Sequence, residues 1–314
     1  EEYRQIRATQ TDFISFCLNP EQASPVTLQP ITRYWFAAAI LFSDILMVPW
    51  ALQRNVKFKP NVGPLLDPMQ IPKAIEQNLI DNLPQKLAPV GEALRLTKSN
   101  LPTETALIGF AGAPWTVMTY MAEGGSSRDF AITREWAWKY PKQVDALLGS
   151  LIESTISFLS LQASAGADAL MLFDSWASAV PAAQRDWLVT RPAQLIIEEL
   201  RKNGHQQPVI GFPKGIGEGL IAYVDQSGVD AVGLDHGVDP VWVDRNLPQN
   251  FPVQGNLDPL SLLQAGPEMF RDIDHILDAF ANRPHIFNLG HGITPPTPAK
   301  NVQLMLNHVR RHQG

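Results

Sequence analysis

Seven short runs rich in Ile, Val, Leu, Phe and Ala recur along the chain, separated by longer stretches with helical spacing. This alternation constrains the fold more than any other feature, because near-continuous apolar strands separated by amphipathic helices are the pattern of a parallel sheet covered by helices. The runs are Ala38–Asp44, Ala106–Ala111, Ala167–Phe173, Pro208–Phe212, Asp230–Asp235, Phe251–Asn256 and His285–Leu289. Lys142–Ser164 reads as one covering helix, with Val144, Leu147, Leu148, Leu151, Ile152 and Ile156 holding a period near 3.6. Ala182–Gly204 reads as another, closed by Gly204.

Polar residues gather where the runs finish: Asp44, Asp174, Ser175, Lys214, Asp235, His236, Asn256, Asp258 and His291. In a (β/α)8 barrel the strand ends converge on one mouth, so contributions from so many strands favour a TIM barrel over a doubly wound sheet with a single crevice. Seven strands leave that barrel one short. The 26 prolines and 21 glycines are spread evenly, with no linker composition to mark a boundary, so residues 1–314 read as a single domain.

The charge balance removes several function classes. With 25 Lys and Arg against 31 Asp and Glu, a net charge of −6 and no basic run, nucleic acid is not an expected partner. The longest uninterrupted apolar run, Trp35–Phe42, has eight residues, and no membrane span is expected from it. Cys17 is the single cysteine, so no intrachain disulfide can form, and with no secretory signal at the start a cytoplasmic setting is expected. No zinc-protease, paired-cysteine, nucleophile-elbow or phosphate-loop motif occurs, and the seven histidines are scattered. No metal is therefore expected. His308 and His312, four residues apart, read as an exposed helix face. Gly215-Ile-Gly-Glu-Gly219 reads either as a tight strand-to-helix turn or as a set of amides meeting an anion.

Asp44 is the leading candidate for chemistry. A carboxylate between Ala38-Ala-Ile-Leu-Phe-Ser43 and Ile45-Leu-Met-Val48 is expensive to bury without a donor. It either caps the following turn or faces the mouth. His291, flanked by glycines in Phe287-Asn-Leu-Gly-His-Gly292, can bind a carboxylate or handle protons, or can bond only to loop backbone. Tyr120 lies on an aromatic helix opening that runs into Gly124-Gly125, which reads as a pocket wall with a flexible rim or as ordinary core. Ser175, with no base near it in sequence, reads as a hydrogen-bond donor and not as a nucleophile.

Several longer motifs occur in order: Leu28-Gln-Pro-Ile31, Ala38-Ala-Ile-Leu-Phe-Ser-Asp-Ile-Leu46, Gly109-Phe-Ala-Gly-Ala-Pro-Trp-Thr116, Glu123-Gly-Gly-Ser-Ser127, Phe173-Asp-Ser-Trp176, Val253-Gln-Gly-Asn-Leu-Asp-Pro259 and Asn288-Leu-Gly-His-Gly292. Through them the sequence resembles the uroporphyrinogen decarboxylases of haem biosynthesis over nearly its whole length. The resemblance implies a single (β/α)8 barrel, a homodimer, and cofactor-free conversion of uroporphyrinogen III to coproporphyrinogen III by decarboxylation of four acetate side chains. It implies that Asp44 reaches the pyrrole N–H groups and offsets the cation of a protonated ring. Tyr120, Ser175 and His291 would meet substrate carboxylates, with Tyr120 also near Asp44, while Phe173 and Ile45 line the apolar walls.

One departure stands at the start. Glu2-Tyr3-Arg4 matches the end of the family's Arg-Gln-Ala-Gly-Arg-Tyr-Leu-Pro-Glu-Tyr-Arg segment. The expectation is a chain lacking its first barrel strand and the two arginines after it, with activity or folding impaired relative to a full-length parent. Two other functions compete. A related barrel family transfers methyl groups through zinc held by His and Cys, and a non-catalytic porphyrinogen-binding protein would need no proton donor.

Overall fold

The computed structural model describes residues 2–8, 12–59 and 63–312. Nine strands follow in chain order: β1 (Ala38–Ile40), β2 (Lys57–Lys59), β3 (Gly63–Leu65), β4 (Ala106–Gly112), β5 (Ala169–Asp174), β6 (Val209–Pro213), β7 (Ala231–Gly233), β8 (Val253–Gln254) and β9 (His285–Ile286). Seven form one parallel sheet in the order β1-β4-β5-β6-β7-β8-β9, each paired with the strand that follows it along the sheet. All seven expected runs supply one of these strands, although most are shorter than their apolar runs. The remaining pair, β2 and β3, makes a small antiparallel hairpin that the apolar pattern does not reveal. Among the described residues β1 and β9 are the two edges, and Ile40 and Ile286 on them are 44% and 48% exposed.

Alternation along the strands splits the core in two. Phe110, Met171, Ile210, Phe212 and Ala231 form an inner cluster, joined by Ile45, Ile108 and Phe173. The alternate residues Leu107, Leu170, Leu172, Val209 and Val232 join the larger layer beneath the helices. Period-2 side-chain direction on strands buried on both faces accounts for both sets. Gly211 shows how close the helical layer lies: a Cβ there would stand 2.5 Å from the Tyr223 hydroxyl.

Proline marks where the covering helices begin. Pro114, Pro141, Pro240, Pro259 and Pro267 open the helices Pro114–Glu123, Pro141–Ser164, Pro240–Asn246, Pro259–Gln264 and Pro267–Ala279. The first turn has unbonded N–H groups in any case, so proline is tolerated there. Asp258 belongs to this helix chemistry and not to the mouth, because its side chain caps the Pro259–Gln264 helix through the Leu260 N–H at 2.9 Å. The expected helix over Ala182–Gly204 is instead three pieces: short turns at Ala182–Gln184 and Asp186–Thr190, then Arg191–Lys202, with Gly204 in the left-handed region at φ +85°.

The Pro141–Ser164 helix has a mean hydropathy of 1.4 over its most apolar 18 residues, so by length and composition it could cross a membrane. A count of unbroken apolar residues misses it because Ser and Gly interrupt the run. Here it is a packed helix, burying Leu147, Leu151, Phe158 and Leu159 against the sheet and its neighbours. Its Gln162 takes both the N–H and the C=O of Phe110, each at 2.8 Å. The histidines of the Ala299–His312 helix are not a bare exposed face either. His308 and His312 bond Asp274 and Asp278 on the Pro267–Ala279 helix at 2.6 and 3.0 Å.

Candidate active site

The segments after β1, β4, β5, β6, β7 and β9 meet at the C-terminal end of the sheet, and Asp44 is the first of their polar groups. Strand β1 stops at Ile40, so Asp44 sits in a turn beyond the strand and not at its last residue. Its Oδ1 accepts the Leu46 N–H at 2.8 Å, and its carbonyl accepts the Met47 N–H at 3.3 Å. The turn-capping role is therefore real, yet it occupies only one carboxylate oxygen. Among the described residues nothing donates to Oδ2. Burial pushes the Asp44 carboxyl up to about 6, against the opposing pull of the Leu46 N–H. Next to it, Ile45 lies so near β4 that a Cβ on Gly112 would stand 3.0 Å from the Ile45 Cβ. Ile45 thereby joins the inner apolar cluster.

Tyr120 comes from the Pro114–Glu123 helix and is buried. Burial raises its phenol pKa; the Trp176 indole opposes that shift, and the Asp44 charge adds to it. Asp44 and Tyr120 are thus electrostatic neighbours. The Gly124-Gly125 pair that follows is not a free hinge. Gly124 ends the helix at φ +76°, donates to the Tyr120 carbonyl, and its own carbonyl accepts the Leu66 N–H at 2.9 Å. A Cβ on Gly124 would lie 3.0 Å from the Leu66 carbonyl, so this rim is packed against the chain after β3.

At the end of β5 the alternation sorts Phe173 from Asp174, and Ser175 follows the strand. Phe173 faces inward between Phe110 and Phe212, with ring centroids 5.5 and 5.8 Å away at steep angles. Ser175 shares its parity and is half-buried, and among the described residues its hydroxyl has no protein partner. Asp174, between them, points the other way. It is 2% exposed, accepts the Thr116 hydroxyl at 2.5 Å and leaves Oδ2 without a partner. Burial pushes Asp174 up to about 7, opposed by the bonds from Thr116. Asp174 thus anchors the helix to the strand and is no part of the mouth. Thr116 also accepts the Trp176 N–H at 3.1 Å, which fixes the segment carrying Ser175.

The far side of the mouth is built on β6, β7 and β9. Gly215 is a tight turn at φ +76° whose N–H is already taken by Asp235 Oδ2 at 2.8 Å, so the structural reading of that glycine segment holds there. Asp235 Oδ1 accepts the Gly237 N–H at 2.9 Å. His291 follows the bridge between Leu257 and Leu289 and is exposed. Burial of part of its ring, then the nearby Lys214 cation, lowers its pKa. A neutral imidazole is the resting form at neutral pH.

The candidates form a series of neighbours: Asp44 beside Tyr120, Tyr120 at 6.4 Å from Trp176, Trp176 beneath Lys214 at 5.8 Å, and Lys214 acting on His291. Asp44 and His291 are the two ends, following the two edge strands, and no contact joins them directly. The sequence places Lys214 among the polar strand-end residues and Trp176 at the end of a motif, without giving either a role. The cue for Lys214 is its place one residue beyond a strand, in phase with the inward-facing Phe212. Among the described residues no three His, Cys, Asp or Glu side chains converge as metal ligands. A groove of about 810 Å³ runs elsewhere, on the outer face of the Pro141–Ser164 helix between Ile152, Ile156, Leu161 and Leu195.

A solved methyltransferase from Methanosarcina mazei superposes with a TM-score of 0.81, covering 99% of this chain and 91% of its own; at 16% identity it shows the shared barrel-type fold alone. Closer in sequence are the uroporphyrinogen decarboxylases of Maricaulis maris and Novosphingobium aromaticivorans. Each is 46% identical over 309 residues, covering 98% of this chain and 89% and 90% of the respective relatives. The family description "Uroporphyrinogen decarboxylase (URO-D)" matches residues 1–312. With the inner phenylalanine floor, the half-free Asp44 and the family match all carried by one continuous stretch of sequence, the chain belongs to the uroporphyrinogen decarboxylase family.

Proposed function

We propose that this protein decarboxylates the four acetate side chains of uroporphyrinogen III, giving coproporphyrinogen III. The observation that carries this reading is the division of labour at Asp44: Oδ1 is held by the Leu46 N–H while among the described residues Oδ2 has no protein donor, and the adjacent Ile45 packs on the inner apolar cluster. Pyrrole N–H groups are the donors such an oxygen lacks. Protonation of a pyrrole carbon creates a cation that accepts the electrons released as the adjacent carboxylate leaves as carbon dioxide. A second proton then completes the methyl group, and loss of the first proton from the ring carbon restores the neutral pyrrole. A fixed carboxylate in surroundings of low polarity stabilises that transient cation more than it stabilises the neutral ground state.

The other groups complement this role. Phe110, Phe173 and Phe212 pack edge to face and line the mouth with an apolar wall suited to a macrocycle. Tyr120, Ser175 and the neutral His291 supply uncharged donors for substrate carboxylates. A net charge of −6 on the whole chain does not oppose an anionic substrate that is met by a local field in the mouth. The reading places the protein as a homodimer in the cytoplasm, without metal or organic cofactor.

The test is anaerobic incubation with uroporphyrinogen III and chromatography of the oxidised products. Stepwise loss of four carboxyl groups is expected, and recovery of unchanged octacarboxylate overturns the reading. The pH profile tests the part given to Asp44. Its carboxyl is held at about 6, so kcat/KM, which reports the free enzyme, should fall about tenfold per pH unit below that value. A profile flat down to pH 5 removes Asp44 from the chemistry.

A further inference from the structure

Lys214 is the polar group of the mouth that the decarboxylase reading leaves without a task. Its backbone is fixed: the N–H donates to the carbonyls of Asp174 and Phe212, each at 3.1 Å, and its carbonyl accepts the Ser178 N–H at 3.0 Å. It stands one residue past β6 in phase with the inward-facing Ile210 and Phe212. The side chain is half-buried, and its ammonium lies over the Trp176 ring at 5.8 Å from the centroid. Among the described residues it has neither an ion pair nor a side-chain hydrogen bond. Asp235, on the neighbouring segment, accepts the N–H groups of Gly215 and Gly237 and makes no ion pair with Lys214. A partly desolvated ammonium held on a rigid strand end with no carboxylate is unusual, because burial of a cation is ordinarily matched by a partner.

We propose that Lys214 binds a carboxylate of the tetrapyrrole substrate, holding it between the Trp176 face and His291. This rests on the decarboxylase reading for the identity of the ligand, and it adds a positive anchor to a mouth whose other named donors are uncharged. An indole under the ammonium orients the cation without neutralising it, so its charge remains available to an anion. His291, whose imidazole feels the Lys214 charge, meets the same carboxylate from the β9 side. The pair therefore selects for a substrate that brings an acidic side chain to this part of the rim.

The experiment compares wild-type protein with Lys214→Met and Lys214→Arg. The first removes the charge at similar length, and the second keeps it. Kd is read by fluorescence titration with uroporphyrin, the stable oxidised octacarboxylate, alongside KM and kcat for uroporphyrinogen III. Lys214→Met should raise both Kd and KM about tenfold, the scale of one hydrogen bond to a charged group, with a smaller effect on kcat. Lys214→Arg should recover most of the loss, and added salt should weaken the wild type more than Lys214→Met. Unchanged Kd and KM in Lys214→Met, or a fall in melting temperature with no change in Kd, overturns the assignment. Should Lys214→Met fail to fold, Lys214→Gln carries the same comparison. A wild-type protein that binds uroporphyrin but does not decarboxylate overturns the decarboxylase reading alone, since the Kd shift still decides Lys214.

Discussion

Replacing Asp44 by Asn is expected to lower kcat on the order of a thousandfold while leaving the fold intact or slightly more stable. Asparagine keeps an oxygen to accept the Leu46 N–H, so the turn survives. What disappears is the negative charge that faces the developing pyrrole cation, and removal of one such preorganised group costs about a hundred- to a thousandfold. The stability effect follows from proton linkage. The folded-state value of about 6 lies above the ordinary 3.8, so between the two the folded chain holds a proton that the unfolded chain has released. Stability contributed by the neutral carboxyl is therefore lost as pH rises from 3.8 to about 6, and the ionised group is a standing cost at neutral pH. A rise of that size corresponds to about 3 kcal/mol at most, and access of solvent to the side chain reduces this to on the order of 1–2 kcal/mol. Calorimetry should find Asp44→Asn the more stable at about pH 7.5, with the difference closing near pH 4. Near-normal coproporphyrinogen formation by Asp44→Asn would remove its assigned role.

How much of this was legible before the structure depends on the physics each feature obeys. The seven strands could be read because a strand buried on both faces is largely apolar and short, although the equally apolar stretch from Ile45 to Leu52 folds into the helix Met47–Ala51. The β2–β3 hairpin could not, since Lys57, Phe58 and Lys59 have neither the length nor the apolar content to stand out. Asp44, Tyr120, Ser175 and His291 are candidates by residue type and position, and Ile45 and Phe173 by the family resemblance. Which way neighbouring residues face could not be read. Asp174 and Ser175 are an acid and a hydroxyl side by side at one strand end, yet Asp174 is turned under a helix to Thr116, while the Ser175 hydroxyl just past the strand has no protein partner among the described residues. Capping causes the same ambiguity at Asp258 and at Asp44. Asp258 is spent on the Leu260 N–H, whereas Asp44 caps a turn and keeps an oxygen free, a difference set by what surrounds the second oxygen in space. Lys214 is placed at a strand end by the sequence but given no role there, for a related reason: that it lacks a partner is a property of all its neighbours together.

Replacing Gly290 by Ala should be the most destabilising single methyl group near the mouth. A Cβ there would lie 2.2 Å from the His236 backbone nitrogen, 2.8 Å from the His236 Cα and 2.9 Å from the Asp235 carbonyl carbon. Neither side can retreat. The Gly290 N–H is bonded to the Leu257 carbonyl at 2.8 Å. The facing segment is held by Asp235, through the N–H groups of Gly215 and Gly237, and by the Asn256 amide, which donates to the carbonyls of Asp235 and Val238 at 2.9 and 2.8 Å. Relief must come from moving backbone, and overpacking of that kind costs about 3 kcal/mol or more, a fall in melting temperature of roughly 5–10 °C in a chain of this size. The displaced residue is the neighbour of His291, so kcat/KM should fall with stability. Gly292→Ala supplies the contrast, since a Cβ at Gly292 meets nothing within 4 Å, and it should change stability by less than about 0.5 kcal/mol. Equal melting temperatures for the two variants would show that β7 and β9 do not lock together where His291 is set, and the far wall of the mouth would have to be held by some other contact.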